Sequence, residues 1–201
     1  MEDIKLWLKN GSINFFGKPF AGKDTCADSL AKLLGASVIG GGDILRNNSA
    51  HASTQAKVED GSLAPSDEYL SIVLPYFAQS EFANKPLVLS SVGRWHGEEP
   101  GVLKATDKSG HPLKVVIFID IDESETRQRW QAAQKLADRG QRKDDAKHVL
   151  DKRLEEFANK TMPVLDFYRQ KGILIEVNGR QSRQAVLQEV INKLAKFINK
   201  K

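Results

Sequence analysis

Residues 17–25, Gly17-Lys18-Pro19-Phe20-Ala21-Gly22-Lys23-Asp24-Thr25, stand between an apolar run, Ser12-Ile13-Asn14-Phe15-Phe16, and an amphipathic run from Thr25 to Leu34. The order is strand, glycine-bounded turn, helix. A turn of this kind points several backbone N–H groups, and the positive end of a helix dipole, into one small concavity. Gly17 and Gly22 permit backbone angles that a β-carbon forbids and let anionic oxygens approach the main chain. Lys23 adds a point charge, and the pattern G-x-x-x-x-G-K is followed one residue late by the hydroxyl of Thr25. An ordinary tight turn with an exposed lysine would account for these letters singly. Strand, glycines, lysine, hydroxyl and helix in one register indicate a cradle for phosphate groups.

The rest of the chain repeats the alternation. Strand patterns cover Ser12–Phe16, Ala36–Ile39, Pro86–Ser90, Leu113–Asp120 and Gly172–Val177. The third and fourth are nearly continuously apolar, as strands are when helices cover both faces of a parallel sheet. Helical patterns run over Lys23–Leu34, Asp43–Asn48, Ser66–Gln79, Ser124–Asp138, Asp144–Gln170 and Ser182–Lys200. Asp67 and Glu68 suit the first turn of the third, where the dipole favours negative charge, and Pro163 is placed to kink the fifth. Right-handed strand–helix–strand crossovers then predict an α/β fold, a doubly wound five-stranded parallel sheet with helices on both faces. The stretch 40–85 is long for one crossover and reads as a small helical subdomain at the sheet edge.

Composition narrows the function classes. A chain of 201 residues can bury a full core as one domain. No apolar stretch approaches a transmembrane length and Met1–Asn10 is charged, so a cytoplasmic protein without membrane association is expected. The single cysteine, Cys26, cannot form an internal disulfide and reads as a small core-facing helix residue. The four histidines, His51, His96, His111 and His148, have no spacing that would hold zinc. A net charge of +4 and a pI near 9.1 suit an anionic small substrate as well as nucleic acid. Against nucleic acid stands the lack of a basic stripe interleaved with aromatics. The lysines of Asn192–Lys201 read as the solvated face of a terminal helix.

Phosphate chemistry needs positioning and charge neutralisation, so the arginines matter most where strands end. Arg46 follows the second strand and Arg94 the third, while Arg129, Arg139, Arg142 and Arg153 gather around the break between the fourth and fifth helices.

Six motifs then follow one another: Gly17–Thr25, Gly42-Asp43-Ile44-Leu45-Arg46, Gly61-Ser62-Leu63-Ala64-Pro65, Gly93-Arg94, Arg142-Lys143-Asp144-Asp145 and Lys152-Arg153-Leu154. Their order and spacing resemble the adenylate kinases and their nucleoside-monophosphate kinase relatives over nearly the whole chain, in the short-lid form. The resemblance implies transfer of the γ-phosphoryl of Mg·ATP to a nucleoside monophosphate, AMP foremost, with Mg²⁺ as cofactor, by a monomer. It implies an NMP-binding subdomain at 40–85 and a lid at 137–146. It assigns ATP to Gly17, Phe20, Ala21, Gly22, Lys23, Asp24, Thr25, Arg129, Arg139 and Gln181, with Arg129 stacking on the adenine. The acceptor falls to Gly41, Asp43, Arg46, Ser62, Leu63, Ala64, Ser91, Val92, Gly93, Arg94, His96, Arg142 and Arg153. Lys23, Arg94, Arg139, Arg142 and Arg153 become the catalytic set. Asp144 and Asp145 set the closed lid or, on their own chemistry, serve as a helix N-terminus.

The chain departs from that family in four places. Gly41 stands where a Thr is usual, and Ser90-Ser91-Val92-Gly93-Arg94 replaces Asp-Gly-aromatic-Pro-Arg. The Gln that reads adenine has no clear counterpart near Trp95-His96-Gly97, and Asp24 replaces a glycine. Acceptor identity is therefore open to a pyrimidine, UMP or CMP, and the lost strand-end Asp also admits an ATP/AMP-binding sensor of weak turnover. Asp24 is expected to anchor Mg²⁺ through a water, its alternative being to point away and stabilise the helix N-terminus.

Overall fold

The strands carry apolar residues on both faces, and two helical layers cover them. The computed structural model describes residues 1–42, 66–136 and 147–200. Five strands, β1 (Ser12–Gly17), β2 (Ser37–Gly40), β3 (Leu87–Ser90), β4 (Leu113–Asp120) and β5 (Leu174–Asn178), form one sheet in the order β2-β3-β1-β4-β5. Every pairing is parallel, with Phe15 opposite Ser90 and Phe16 opposite Phe118. All strand ends that bear the motif loops therefore lie on one edge of the sheet, where ligands bind in open α/β folds.

On one face, Ile13, Phe15, Val88, Val115, Ile117 and Val177 meet helices α1 (Glu2–Leu8), α2 (Lys23–Leu34) and, at the C-terminus, a helix over Arg183–Ile198. On the other, Phe16, Leu87, Leu89, Val116 and Phe118 meet α3 (Ser66–Val73), α4 (Glu99–Lys108) and the helices that precede β5. Between these lies α5 (Glu123–Leu136), which is followed by α6 (Lys147–Glu156) and α7 (Met162–Gln170); the C-terminal helix is α8. Phe197 of α8 meets Trp7 of α1 edge to face at 6.0 Å.

Helix α2 has the bounds its periodicity predicts, and several other bounds shift for local reasons. Gly35 and Gly172 take left-handed φ of 68° each and cap the preceding helices. The N–H of Ala36 donates to Ala31 O (2.9 Å) and that of Ile173 to Tyr168 O (3.1 Å), so strands expected from Ala36 and Gly172 begin later. The helix expected over Ser66–Gln79 tightens into a 3₁₀ turn, Leu74–Ala78, at Pro75, which cannot donate to the α ladder. The kink expected at Pro163 appears as a π-turn, Phe157–Thr161, between α6 and α7. Helices α1 and α4 were not expected. Each hides an i, i+4 pair, Ile4 with Leu8 and Val102 with Thr106, in a charged stretch. The helix expected at Asp43–Asn48, the first part of the subdomain at 40–85 and the lid at 137–146 lie outside the described residues. Among the described residues no helix is long and apolar enough to cross a membrane.

Candidate active site

The loop after β1 is bent by two left-handed residues, Phe20 (φ 62°) and Gly22 (φ 84°). A β-carbon on Gly22 would meet nothing within 4 Å, so its backbone angle, and not space, requires glycine. Gly17 is the opposite case: a β-carbon there would lie 3.0 Å from both Ala21 Cβ and Ile119 O, because the loop folds closely over the strand end. Among the described residues no side chain caps α2, whose first N–H groups have no partner within the helix itself. Lys23, Asp24 and Thr25 form that first turn, and Lys23 Nζ pairs with Asp24 Oδ2 at 2.9 Å. The hydroxyl of Ser90, at the end of β3, donates to Asp24 Oδ1. Sequence reasoning linked Asp24 to Ser90 only through the carboxylate that Ser90 lacks; the fold puts the two side chains in contact.

Arg129 of α5 is held on all sides. Its Nε pairs with Glu125 Oε1 at 2.7 Å, and its terminal nitrogens donate to Gly179 O (2.6 Å) and, at 3.4 Å, to the carbonyls of Phe20 and Ala21. It thus ties the cradle to the loop after β5. In that loop Gln181 Nε2 donates to Asn178 O at 3.1 Å and to Glu189 of α8. Gly179 is crowded against β4, where a β-carbon would come within 2.7 Å of Ile119 and Ile121. Lys18 is engaged outside the cradle, with Asp120 Oδ1 (3.2 Å) and Ile121 O (2.6 Å).

The loop after β3 carries Ser91, Val92, Gly93 and Arg94, and hydrogen bonds from three elements, β1, α3 and the π-turn, fix it. Asn14, fully buried in β1, donates through Nδ2 to Val92 O (2.7 Å) and accepts from Val92 N–H (3.3 Å). Ser91 N–H donates to Phe15 O at 2.8 Å, and Gly93 N–H to the Tyr69 hydroxyl at 3.1 Å. Thr161, in the π-turn, donates to Arg94 O at 3.0 Å. Gly93 has φ 72°, and a β-carbon there would strike Val102. Arg94 is half-buried, with its neighbour Trp95 under Lys160 Nζ at 3.9 Å from the ring centre.

The next turn is built on two buried carboxylates. Glu98 Oε2 accepts from Trp95 N–H (3.0 Å), while Glu99 accepts from Gly97 N–H (2.7 Å) and pairs with His96 Nδ1 (2.9 Å). His96 itself is exposed and Glu99 is 1% exposed. Gly41, just past β2, has its α-carbon against the Tyr69 hydroxyl, so a β-carbon would overlap that oxygen. Burial pushes the Tyr69 hydroxyl well above the usual phenol range.

Lys23, Arg129, Gln181, Gly41, Arg94 and His96 therefore lie at or beside strand ends on one sheet edge, and Arg153 lies in the last turn of α6, just before the π-turn that holds Arg94. Asp43, Arg46, Ser62, Leu63, Ala64, Arg139, Arg142, Asp144 and Asp145 lie outside the described residues. Sequence reasoning did not assign Asn14, Tyr69, Glu98, Glu99 and Thr161. The one available signal was Asn14, a polar residue inside an apolar strand, which must find partners once buried.

The sequence is also similar to known proteins. The sequence model of the family described as adenylate kinase matches residues 15–173. An adenylate kinase from Thermosipho melanesiensis is 26% identical over 210 residues, covering 90% of this chain and 98% of that protein. One from Cyanothece sp. is 29% identical, covering 89% and 94%, and one from Leptospira biflexa is 28% identical, covering 92% and 97%. With a parallel sheet, a glycine-bounded loop between β1 and α2 and a family match over most of its length, the chain belongs to the adenylate kinase family.

Proposed function

We propose that the chain transfers the γ-phosphoryl of Mg·ATP to AMP, giving two molecules of ADP. The family is one of phosphotransferases, and the chain is a nucleoside-monophosphate kinase. The observation that carries the finer reading is the adjacency of two built loops: the cradle with Lys23 after β1, and the Arg94 loop after the neighbouring strand β3.

In this reading the N–H groups of Phe20 to Thr25 and the Lys23 ammonium hold the ATP phosphates, with Gly17 and Gly22 giving them access. Arg129 positions the cradle and offers its guanidinium face to the adenine, beside the Gln181 loop. Arg94, with Arg46, grips the acceptor phosphate, where a planar fork of donors matches the oxygens. Gly41, Asp43, Ser62, Leu63, Ala64, Ser91, Val92, Gly93 and His96 surround the acceptor nucleoside. Arg139, Arg142 and Arg153 close over the moving phosphoryl, with Asp144 and Asp145 pairing them in the closed lid. Such closure excludes water, the competing acceptor. Mg²⁺, which Asp24 would hold through a water, would supply charge neutralisation at the ATP phosphates. We further propose that the protein acts as a cytoplasmic monomer.

The acceptor base is tested with AMP, UMP, CMP and GMP in an assay coupled to ADP release. AMP turning over fastest supports the reading, and a pyrimidine monophosphate turning over fastest replaces it with a UMP/CMP kinase. Tight ATP binding with no transfer to any of the four replaces it with a sensor.

A further inference from the structure

A carboxylate beside a phosphate cradle is a liability. It repels the ligand, and in this chain it also neutralises the ammonium that the ligand needs, since Lys23 Nζ lies 2.9 Å from Asp24 Oδ2. Stabilising the start of α2 through the helix dipole would be reason enough for an acidic residue there. That role needs no fixed orientation, yet the Asp24 carboxylate has one. It leans from α2 to the neighbouring strand end, where Ser90, 7% exposed, donates its hydroxyl to Oδ1. The side chain remains 62% exposed, so the anchored carboxylate stays accessible to solvent.

In phosphate-loop enzymes the metal is held by a loop hydroxyl and by a carboxylate at the end of a nearby strand. Here Thr25, two residues after Lys23 in the chain, is exposed and carries a hydroxyl. The strand next to β1 ends in Ser90, which carries no charge. The carboxylate that reaches this strand end comes instead from the helix side. Mg²⁺ keeps several of its waters, and those waters are donors that an acceptor-only group can receive. We infer that Asp24, oriented by Ser90, is the magnesium-positioning carboxylate of this chain, accepting hydrogen bonds from waters of the ATP-bound ion while Lys23 turns to the phosphates. The inference rests on the ATP reading of the cradle given above.

The two residues can be separated. Asp24→Asn keeps shape and hydrogen bonding but removes the charge, and Ser90→Ala keeps the charge but releases its orientation. The double variant Asp24→Ser, Ser90→Asp moves the carboxylate to the strand end. Calorimetric titration with ATP, in EDTA and in saturating Mg²⁺, gives the gain in affinity due to the metal. Electron paramagnetic resonance of Mn²⁺ in the ATP complex reports the ion's environment without turnover.

Asp24→Asn should lose about tenfold or more of the metal-dependent gain, the scale of outer-shell partners of a metal. Its affinity for ATP in EDTA should stay equal or rise, which also shows that the variant is folded. Ser90→Ala should fall between Asp24→Asn and the parent, and the exchanged pair should recover most of the gain. An unchanged metal-dependent gain and an unchanged Mn²⁺ spectrum in Asp24→Asn would overturn the inference while leaving the ATP reading intact. Failure of the parent protein to bind ATP with or without metal would overturn both.

Discussion

The hydroxyl of Tyr69 occupies the space that a β-carbon on residue 41 would need. The same oxygen accepts the Gly93 N–H at 3.1 Å, so one side chain from α3 joins the strand end of β2 to the Arg94 loop. This gives a packing reason for glycine where the family usually has threonine. Gly41→Thr should destabilise the protein by about 1–3 kcal/mol, the range for overpacking a filled site. Tyr69→Phe alone should cost roughly 1–3 kcal/mol by leaving a buried N–H unpaired. In the double variant the two losses should be less than additive, because removing the hydroxyl relieves the overlap. Urea unfolding of the four proteins measures this coupling.

Asn14 is a second long-range tie. Its amide meets both backbone groups of Val92, at 2.7 and 3.3 Å, from inside the sheet. Asn14→Leu, close in size, should leave those groups unpaired and cost on the order of 2–4 kcal/mol. If the Arg94 loop binds the acceptor, KM for the monophosphate should rise several-fold while KM for ATP changes little. Initial-rate kinetics over both substrates would show the split.

Tyr168 gives a prediction of the opposite sign. Its hydroxyl is fully buried and has no hydrogen-bond partner among the described residues, and burial raises its pKa well above the usual phenol range. Tyr168→Phe removes an unpaired polar group without changing the packed ring, so stability should be unchanged or rise by about 1 kcal/mol. Thermal unfolding of the variant checks the sign.

Cys26 faces the core beneath the cradle, and burial pushes its thiol from an ordinary 9.0 up to about 12. The thiol should stay protonated and unreactive to aromatic disulfide reagents at pH 8 until the protein is denatured. Because the folded pKa lies above the unfolded one, the folded state retains the proton where the unfolded chain would release it. The stability associated with this group is present below pH 9.0 and is lost as pH rises from there towards about 12. Cys26→Ala should flatten that part of the stability–pH curve.

Legibility followed distance along the chain. The cradle was readable because its strand, Gly22, Lys23 and α2 are neighbours in sequence and share one local chemistry. The five strands were readable from apolar runs, but their first residues were misplaced where Gly35 and Gly172 act as helix caps. Helices α1 and α4 escaped because each turns little more than one i, i+4 pair to the core, Ile4 with Leu8 and Val102 with Thr106, within a charged stretch. What could not be read were side chains whose partners lie far off in sequence. Asn14 meets Val92 across 78 positions, Thr161 meets Arg94 across 67, and Ser90 meets Asp24 across 66. Each is an isolated polar residue with no local pattern, and only the sheet order brings its partner near.

Phosphoryl transfer between two nucleotides is tested most directly by following the γ-phosphorus of labelled ATP in the presence of AMP. The label should appear in the β-position of ADP, and Lys23→Met or Arg94→Ala should slow its arrival by roughly 10³-fold or more without lowering the unfolding temperature markedly. Label recovered only as inorganic phosphate, or a rate that neither substitution alters, would contradict the account.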